Sequence, residues 1–324
     1  YMKKRRLGKT DLLVSEIGLG CWQLGGLTTI NNISLTMNDV NEKTAEEIIC
    51  TSIEKGINTF DTADFYSLGN SERRLGKSLK DRRSDVCIFT KAGSIPSYSN
   101  TNPFEIDLSQ NHLMAALNRS LKRLGTDYVD LFQTHVIPYT DDEYNEIEKV
   151  FNKIKSEGKA RYCGVSISSE YERAIKLIEK GFVDVIQLTF SLLDFKPIKK
   201  LLTLAKKNNV GVIASKPLSQ GFLTEKYNES TSFTSTDIRS RLFSQNEIKS
   251  RINQAKKFQF LVNEKRTMSQ VALAYILSFN AVSTCIPGAK SIEQVKSNVL
   301  ASDLVLTPSE LMKIENIQEQ VSIK

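Results

Sequence analysis

The chain has 324 residues, of which 40% are hydrophobic and 25% are charged, and its net charge is +7. This size allows one large core or two ordinary domains, and the composition excludes a disordered or fibrous protein. Basic residues mostly alternate with acidic ones and no nucleic-acid-binding module is visible, so we attribute the positive charge to solvated surface.

The first predicted element is a β-hairpin formed by residues 5–7 and 12–17, with a turn at 8–11. Eight short apolar runs follow, and several are apolar throughout, which is typical of strands buried on both faces. These strand candidates are residues 17–20, 57–60, 86–90, 128–134, 161–165, 185–188, 210–214 and 283–286. We expect the hairpin to plug one end of the sheet that they form.

Amphipathic segments lie between the strand candidates. Residues 44–55, 110–124, 143–157 and 170–180 have apolar residues at helical spacing, and a glycine follows each of them. Alternating strands and helices predict a parallel sheet, and eight units in about 300 residues favour a closed (β/α)8 TIM barrel over an open sheet. We therefore predict one domain over residues 1–324, with a mobile polar loop at 224–246 covering one face.

The cysteines and the apolar runs bear on metal binding and location. Five cysteines are widely spaced without a C-x-x-C pair, and only two histidines are present, so we expect no metal site and a reduced, cytoplasmic protein. The first residues are polar and basic, and no apolar run approaches ~20 residues, so we expect neither a signal peptide nor a membrane span.

Four polar residues follow or end predicted strands. They are Asp61, Tyr66, Lys91 and His135, and a parallel barrel would bring all four to the same rim. Carbonyl reduction needs a proton donor, and a tyrosine with a pKa of ~10 could serve if an adjacent ammonium lowered that pKa. Lys91 would be that ammonium, Asp61 would hold it charged, and His135 would orient the carbonyl oxygen.

Each of these residues also has an ordinary structural interpretation. Asp61 could cap a helix, Tyr66 could be a half-buried aromatic, Lys91 could be solvated, and His135 could lie in the core. Their joint placement at one rim favours the catalytic interpretation.

Three segments carry a resemblance to a known family. Residues 6–20, the segment Asn58-Thr-Phe-Asp61-Thr-Ala-Asp-Phe-Tyr66 and residues 70–76 resemble aldo-keto reductases, and Lys91 and His135 fall where that family's lysine and histidine fall. The resemblance covers nearly the whole chain and is closest to the branches of bacterial general aldo/keto reductases and potassium-channel β subunits. It implies a catalytic tetrad of Asp61, Tyr66, Lys91 and His135, with Tyr66 as general acid/base.

The resemblance also implies a nicotinamide cofactor, which this family binds without a Gly-x-Gly-x-x-Gly loop. The implied cofactor contacts are Gly20, Cys21, Trp22, Asp61, Ser166, Gln187, Ser215, Lys216, Pro217, Leu218, Gly221, Leu223, Ile286, Pro287, Gly288, Lys290, Ser291, Gln294 and Asn298. Lys290 with Ser291 favours the 2′-phosphate of NADPH over NADH. Trp22, Tyr66 and His135 are the implied substrate contacts.

Several positions depart from the family pattern, and two of them lie among or beside the implied cofactor contacts. Ile167 stands where many members have an asparagine after the carboxamide-binding serine, and Ser215 stands where many place a tyrosine under the nicotinamide ring. We expect another residue to pack under the nicotinamide ring in place of that tyrosine.

We consider three functions. The first is an NADPH-dependent reductase of small aldehydes, ketones or sugar-like carbonyls, acting as a monomer or homo-oligomer. In it, Arg239 and Arg241 could attract an anionic substrate, although solvated loop charges are the simpler interpretation. The second is a redox-sensing subunit that keeps its cofactor bound and docks a partner. The third is an aldolase-like barrel with Lys91 as a Schiff base, which the neighbouring Asp61 disfavours.

Overall fold

The computed structural model describes residues 2–37, 40–97, 99, 103–168, 170–195 and 198–322. Its strands are β1 Lys4–Arg6, β2 Leu13–Ser15, β3 Leu19–Gly20, β4 Thr29–Ile30, β5 Ile33–Ser34, β6 Thr59–Asp61, β7 Cys87–Ala92, β8 Ser94–Pro96, β9 Phe104–Ile106, β10 Val129–Thr134, β11 Ala160–Ile167, β12 Val185–Thr189, β13 Gly211–Ser215 and β14 Thr284–Cys285. Its helices are α1 Glu42–Glu54, α2 Asn70–Leu79, α3 Gln110–Leu124, α4 Asp141–Ser156, α5 Tyr171–Lys180, α6 Ile198–Lys207, α7 Arg239–Leu242, α8 Gln245–Lys256, α9 Met268–Leu277, α10 Ile292–Val299 and α11 Pro308–Ser322.

Eight parallel strands form one sheet, in the order β3-β6-β7-β10-β11-β12-β13-β14. The sheet closes on itself because Ile17 pairs with Cys285 and Gly20 pairs with Gly288, both in parallel. The main-chain N–H of Gly18 donates to the carbonyl of Cys285 at 2.8 Å across this seam. The structure therefore confirms the predicted (β/α)8 barrel, and each predicted strand overlaps one of the eight barrel strands.

The N-terminal hairpin closes the bottom of the barrel, as predicted. Strands β1 and β2 pair antiparallel. Leu7, Leu12 and Val14 are buried in one apolar cluster with Phe89 and Ile213, which point into the barrel. The cluster also contains Cys87 and Val185, the first residues of their strands, so the plug lies at the N-terminal end of the sheet. The opposite end is left for the functional site.

The four predicted helices are present, with ends set by local sequence. Helix α3 begins after Ser109, whose side chain caps a main-chain N–H, and ends at Gly125, which has a φ of 65°. Helix α4 begins at a capping box between Thr140 and Glu143. None of the described helices is long and apolar enough to cross a membrane.

The polar segment 224–246 is more structured than the sequence indicated. It contains the short helix α7 and the first residues of α8. Its aromatic residues Tyr227, Phe233 and Phe243 pack with Phe222 against α8. We call this segment the lid because several of its residues line the cavity described next.

Candidate active site

The four predicted catalytic residues meet at the C-terminal rim of the barrel. Asp61 ends β6, Lys91 is next to last in β7, and His135 follows β10. Tyr66 begins a short 3-10 turn, Tyr66–Gly69, after β6. The Lys91 Nζ lies 2.6 Å from Asp61 Oδ2 and 5.2 Å from the centre of the Tyr66 ring. The rings of Tyr66 and His135 meet edge to face, with their centres 5.5 Å apart.

Lys91 and Asp61 form a buried ion pair. Their side chains are 1% and 3% exposed, and Lys91 also donates to the Thr62 carbonyl at 2.8 Å. Burial opposes the charge on Lys91 most strongly, but Asp61 and Tyr66 together outweigh it and raise the pKa of the lysine. The ammonium is therefore held protonated, which opposes Schiff-base chemistry at Lys91.

The pKa of Tyr66 differs from the sequence-based expectation. Burial raises the pKa of the phenol and Asp61 adds to this, while Lys91 opposes the shift without cancelling it. Lys91 therefore lowers the pKa of Tyr66, as predicted, but the desolvation of the hydroxyl raises this pKa by more. A phenol with a raised pKa stays protonated at neutral pH, although it is a weaker acid than a solvated tyrosine.

His135 is held neutral. Burial lowers its pKa to about 3, and the positive charges of Lys91 and Lys216 act in the same direction. The main-chain N–H of His135 donates to the Ala92 carbonyl at 2.7 Å, and the ring Nδ1 is buried without a partner among the described residues. A neutral imidazole can donate one hydrogen bond to a carbonyl oxygen without carrying charge.

Gln187 has a role that sequence reasoning missed. Its Nε2 donates to Asp61 Oδ1 at 2.8 Å, and its Oε1 accepts from the Ser166 hydroxyl at 3.2 Å. Ser166 and Gln187, two of the implied cofactor contacts, are thus joined to the Lys91–Asp61 ion pair. The Ser166–Gln187 bond follows from the register, since the two are paired neighbours on adjacent strands, whereas no local sequence signal indicates the bond from Gln187 to Asp61.

A cavity of about 780 Å³ opens above these groups, a volume suited to a cofactor and substrate together. Nineteen of the predicted site residues line it, namely Gly20, Cys21, Trp22, Asp61, Tyr66, His135, Ser166, Gln187, Ser215, Lys216, Pro217, Leu218, Gly221, Ile286, Pro287, Gly288, Lys290, Gln294 and Asn298. Lys91 is not among the lining residues, but its ammonium contacts Asp61, which is one of them. Leu223, which is fully buried, and Ser291, whose side chain caps α10, are also predicted contacts that are not among the residues lining the cavity.

The wall around Tyr66 is apolar and aromatic. The Trp22 ring lies 6.2 Å from the Tyr66 ring, and Trp22 is fixed by a 3.1 Å hydrogen bond from its Nε1 to the Leu35 carbonyl. Phe65 and Phe104 pack edge to face at 6.0 Å. Ile167 and Ser215, which depart from the family pattern, also line the cavity.

A second group of lining residues is cationic. From the sequence, Lys290 was an implied cofactor contact and Arg239 was considered as a charge that could attract an anion, but Lys226 was not identified. Lys226, Arg239 and Lys290 all face the cavity. Burial lowers the pKa of Lys290 to about 8, and the charge of Arg239 is the next cause. These three side chains therefore lie close enough to influence one another, although Asp237 pairs with Arg239 and Glu225 and Glu293 also line the cavity.

Arg239 corrects the interpretation of a solvated loop charge. It is 4% exposed, while its neighbour Arg241 is exposed as expected. Its guanidinium donates to both Asp237 oxygens, at 2.9 and 2.6 Å, and to the Gln220 carbonyl at 3.1 Å. Beside it, the N–H of Ile238 donates to the Thr36 carbonyl at 3.0 Å, which ties the lid to the segment before α1.

Within the described residues, no cluster of three or more His, Cys, Asp or Glu side chains is placed to hold a metal ion.

Comparison with known proteins places these features in context. Residues 16–319 match the model of the aldo/keto reductase family. The chain is 30% identical to the NADH-specific methylglyoxal reductase of Escherichia coli, over 98% of this chain and 99% of that protein. It is 34% identical to a putative voltage-gated potassium channel subunit beta of Schizosaccharomyces pombe, over 97% and 92%. The holo form of aldo-keto reductase AKR11C1 from Bacillus halodurans superposes with a TM-score of 0.80 at 31% identity, covering 98% and 96%.

Proposed function

Because the chain belongs to the aldo/keto reductase family, we propose that it is an NADPH-dependent oxidoreductase that reduces aldehydes or ketones to alcohols, with Tyr66 as proton donor. The observation that carries this proposal is the buried Lys91–Asp61 pair beside the Tyr66 ring at the wall of a large cavity. A structural ion pair would not need a phenol and a neutral imidazole at the same cavity wall.

Each residue has a separate role in carbonyl reduction. The neutral His135 donates a hydrogen bond to the carbonyl oxygen and orients it. A bound nicotinamide cofactor supplies the hydride. The Tyr66 hydroxyl gives its proton to the oxygen as negative charge develops there, and the Lys91 ammonium stabilises the phenolate that remains. Asp61 keeps Lys91 charged, and Gln187 fixes the orientation of Asp61.

The cavity suits a dinucleotide carrying a 2′-phosphate. Ser166 and Gln187 offer polar groups near Tyr66, as a carboxamide requires, although both are hydrogen-bonded to each other. Lys226 and Lys290 line the cavity near the ion pair of Arg239 with Asp237, and their charges suit a phosphate, which supports NADPH over NADH. The NADH specificity of the Escherichia coli relative makes this preference a point to test.

We infer a cytoplasmic enzyme with a small carbonyl compound as its binding partner, acting as a monomer or homo-oligomer. Five cysteines without a disulfide, four of them buried, support a reducing compartment.

The central test is the Tyr66→Phe variant. Its kcat should fall by a factor of about 10² to 10⁴, while its NADPH affinity stays within a few-fold, because the hydroxyl acts in the transition state rather than in cofactor binding. The measurement is NADPH oxidation over a panel of aldehydes, ketones and keto-sugars, with cofactor binding followed by fluorescence. Tyr139→Phe is the matched control, since Tyr139 is on the same rim but 53% exposed. An unchanged kcat in Tyr66→Phe would falsify the assigned role.

The potassium-channel relative supports one alternative, a cofactor-binding subunit with little turnover. In that case the wild-type protein would bind NADPH tightly, oxidise it only slowly over the whole panel, and form a stable complex with a partner protein. Multiple turnovers with any carbonyl in the panel favour the reductase.

A further inference from the structure

The chain reverses direction directly after Tyr66, through a backbone conformation that residues with a β-carbon rarely adopt. Ser67 has φ 49° and ψ 43°, Leu68 has φ 52° and ψ 42°, and Gly69 has φ 84°. Glycine accepts a positive φ without strain, but serine and leucine do not. Leu68 is also the one apolar side chain with a left-handed φ in the part of the chain that the structure describes. Such strain persists only where surrounding contacts impose it, and it is concentrated at functional sites.

The contacts that impose this turn come from the segment that carries Trp22. Ser67 is 5% exposed, and its hydroxyl donates to the Gly26 carbonyl at 2.9 Å. Gly25 has no room for a side chain, because a β-carbon there would lie 2.5 Å from the β-carbon of Ser67. The next bond runs from Asn70 Nδ2 to the Gly25 carbonyl at 2.6 Å. The strained turn therefore packs directly on this segment.

Tyr66 and Trp22 begin the two turns that pack together. Tyr66 begins the strained turn, and Trp22 begins the short 3-10 turn Trp22–Gly25. Their rings lie 6.2 Å apart, and both residues line the main cavity. Helix α2 strengthens the contact, since Arg74 donates to the Leu24 carbonyl at 2.6 Å. The bonds that hold the strained turn therefore also fix the phenol relative to the indole.

The position of a proton donor strongly affects the rate of proton transfer. A general acid has to lie within hydrogen-bond distance of the atom that it protonates, and a displacement of about 1 Å can cost about a hundredfold in rate. Ser67 is the residue next to Tyr66, but it is not among the residues that line the cavity. Ser67 can therefore influence the reaction only through the position of its neighbours.

We propose that Ser67 is a positioning residue, whose bond to the Gly26 carbonyl holds Tyr66 and Trp22 as one unit at the wall of the cavity. The effect on turnover rests on the proposed reductase function. The positional part does not, because it depends only on the bonds between the two turns.

Trp22 reports the positional part without any activity, because it is the only tryptophan in the chain. In Ser67→Ala, with no ligand added, the acrylamide quenching constant of the indole should rise at least about twofold, because the two turns separate more often. Ser78→Ala is the matched control, since it also removes a serine hydroxyl bond, to the Arg74 carbonyl at 3.0 Å, but within helix α2. Equal quenching in the wild type and Ser67→Ala overturns the proposal. Asn70→Ala removes the neighbouring bond and gives the same comparison should Ser67→Ala not fold.

Kinetics separate positioning of Tyr66 from a role of Ser67 in folding alone. In Ser67→Ala, kcat should fall about tenfold while KM and NADPH affinity stay within about twofold, because the hydroxyl contacts neither ligand. Ser67→Gly suits the left-handed backbone, so it should unfold at a higher denaturant concentration than Ser67→Ala, yet its kcat should stay as low. A kcat that recovers together with stability in Ser67→Gly would mean that the hydroxyl serves only the fold, which refutes the proposal. A wild-type protein that reduces no carbonyl would instead count against the reductase function, and the acrylamide experiment would still judge the positional part.

Discussion

At the scale of single residues, Lys290 gives a prediction about cofactor choice. Its pKa is lowered to about 8 by burial and by Arg239, and a bound phosphate favours the charged lysine. NADPH affinity should therefore be highest below pH 8 and fall as the pH rises from 8 to 9, because binding then requires the lysine to take up a proton. NADH affinity should change little over this range. Fluorescence titrations at several pH values measure both.

A variant pair isolates the charge of Lys290. Lys290→Met should lower NADPH affinity about tenfold at pH 7 and remove most of its dependence on pH. Lys296→Met, an exposed change on α10, should do neither. Equal affinity of the wild type for NADPH and NADH at pH 7 would remove the role we assign to Lys290.

The positions of the candidate catalytic residues were easier to predict than their environments. Asp61, Lys91 and His135 were predictable because each follows a predicted buried strand, and strand ends of a parallel barrel share one rim. The raised pKa of Tyr66 was not predictable, because it depends on how completely the fold removes the hydroxyl from water. The bond from Gln187 to Asp61 was missed for a similar reason, since it joins strands far apart in sequence.

At the scale of elements, the regular units were predictable and the lid was not. Helix α3 has the bounds that its periodicity and its final glycine indicated. The lid is polar and rich in serine and threonine, so its pattern indicated only a loop. Its order comes from Phe222 outside the segment and from the buried Arg239, whose partners include Asp237 and the Gln220 carbonyl. Such contacts between segments leave no local sequence period.

The lid supplies an element-scale prediction. Arg239→Ala removes the guanidinium that joins Asp237 to Gln220 and contacts the Phe233 ring at 4.1 Å. Because the lid lines the cavity, we expect NADPH to dissociate at least about tenfold faster, as judged by stopped-flow fluorescence. Arg241→Ala, in the same short helix but exposed, is the control. If both variants release the cofactor equally fast, the buried contacts of Arg239 do not hold the lid.

At the scale of the whole molecule, stability and chemistry occupy opposite ends of the barrel. The hairpin fills the N-terminal end with apolar side chains, while the ion pair, Tyr66 and the cavity lie at the C-terminal end. Arg5 reinforces the closed end by donating to the Val282 carbonyl at 2.9 Å and to Glu16 at 2.7 Å. This arrangement was predictable from the eight-fold alternation of strands and helices, because that pattern fixes which ends of the strands meet.

Adjacent leucines in the hairpin test this separation. Leu12 is 2% exposed and packs in the apolar cluster that closes the barrel, while the next residue, Leu13, is 54% exposed. Leu12→Ala should lower the free energy of unfolding by about 2–5 kcal/mol, because it leaves a cavity in a closed core, whereas Leu13→Ala should change it by less than about 0.5 kcal/mol. Denaturant unfolding measures both. The kcat/KM per folded molecule should match the wild type in both variants, and a loss of kcat/KM in folded Leu12→Ala would show that the plug also shapes the catalytic rim.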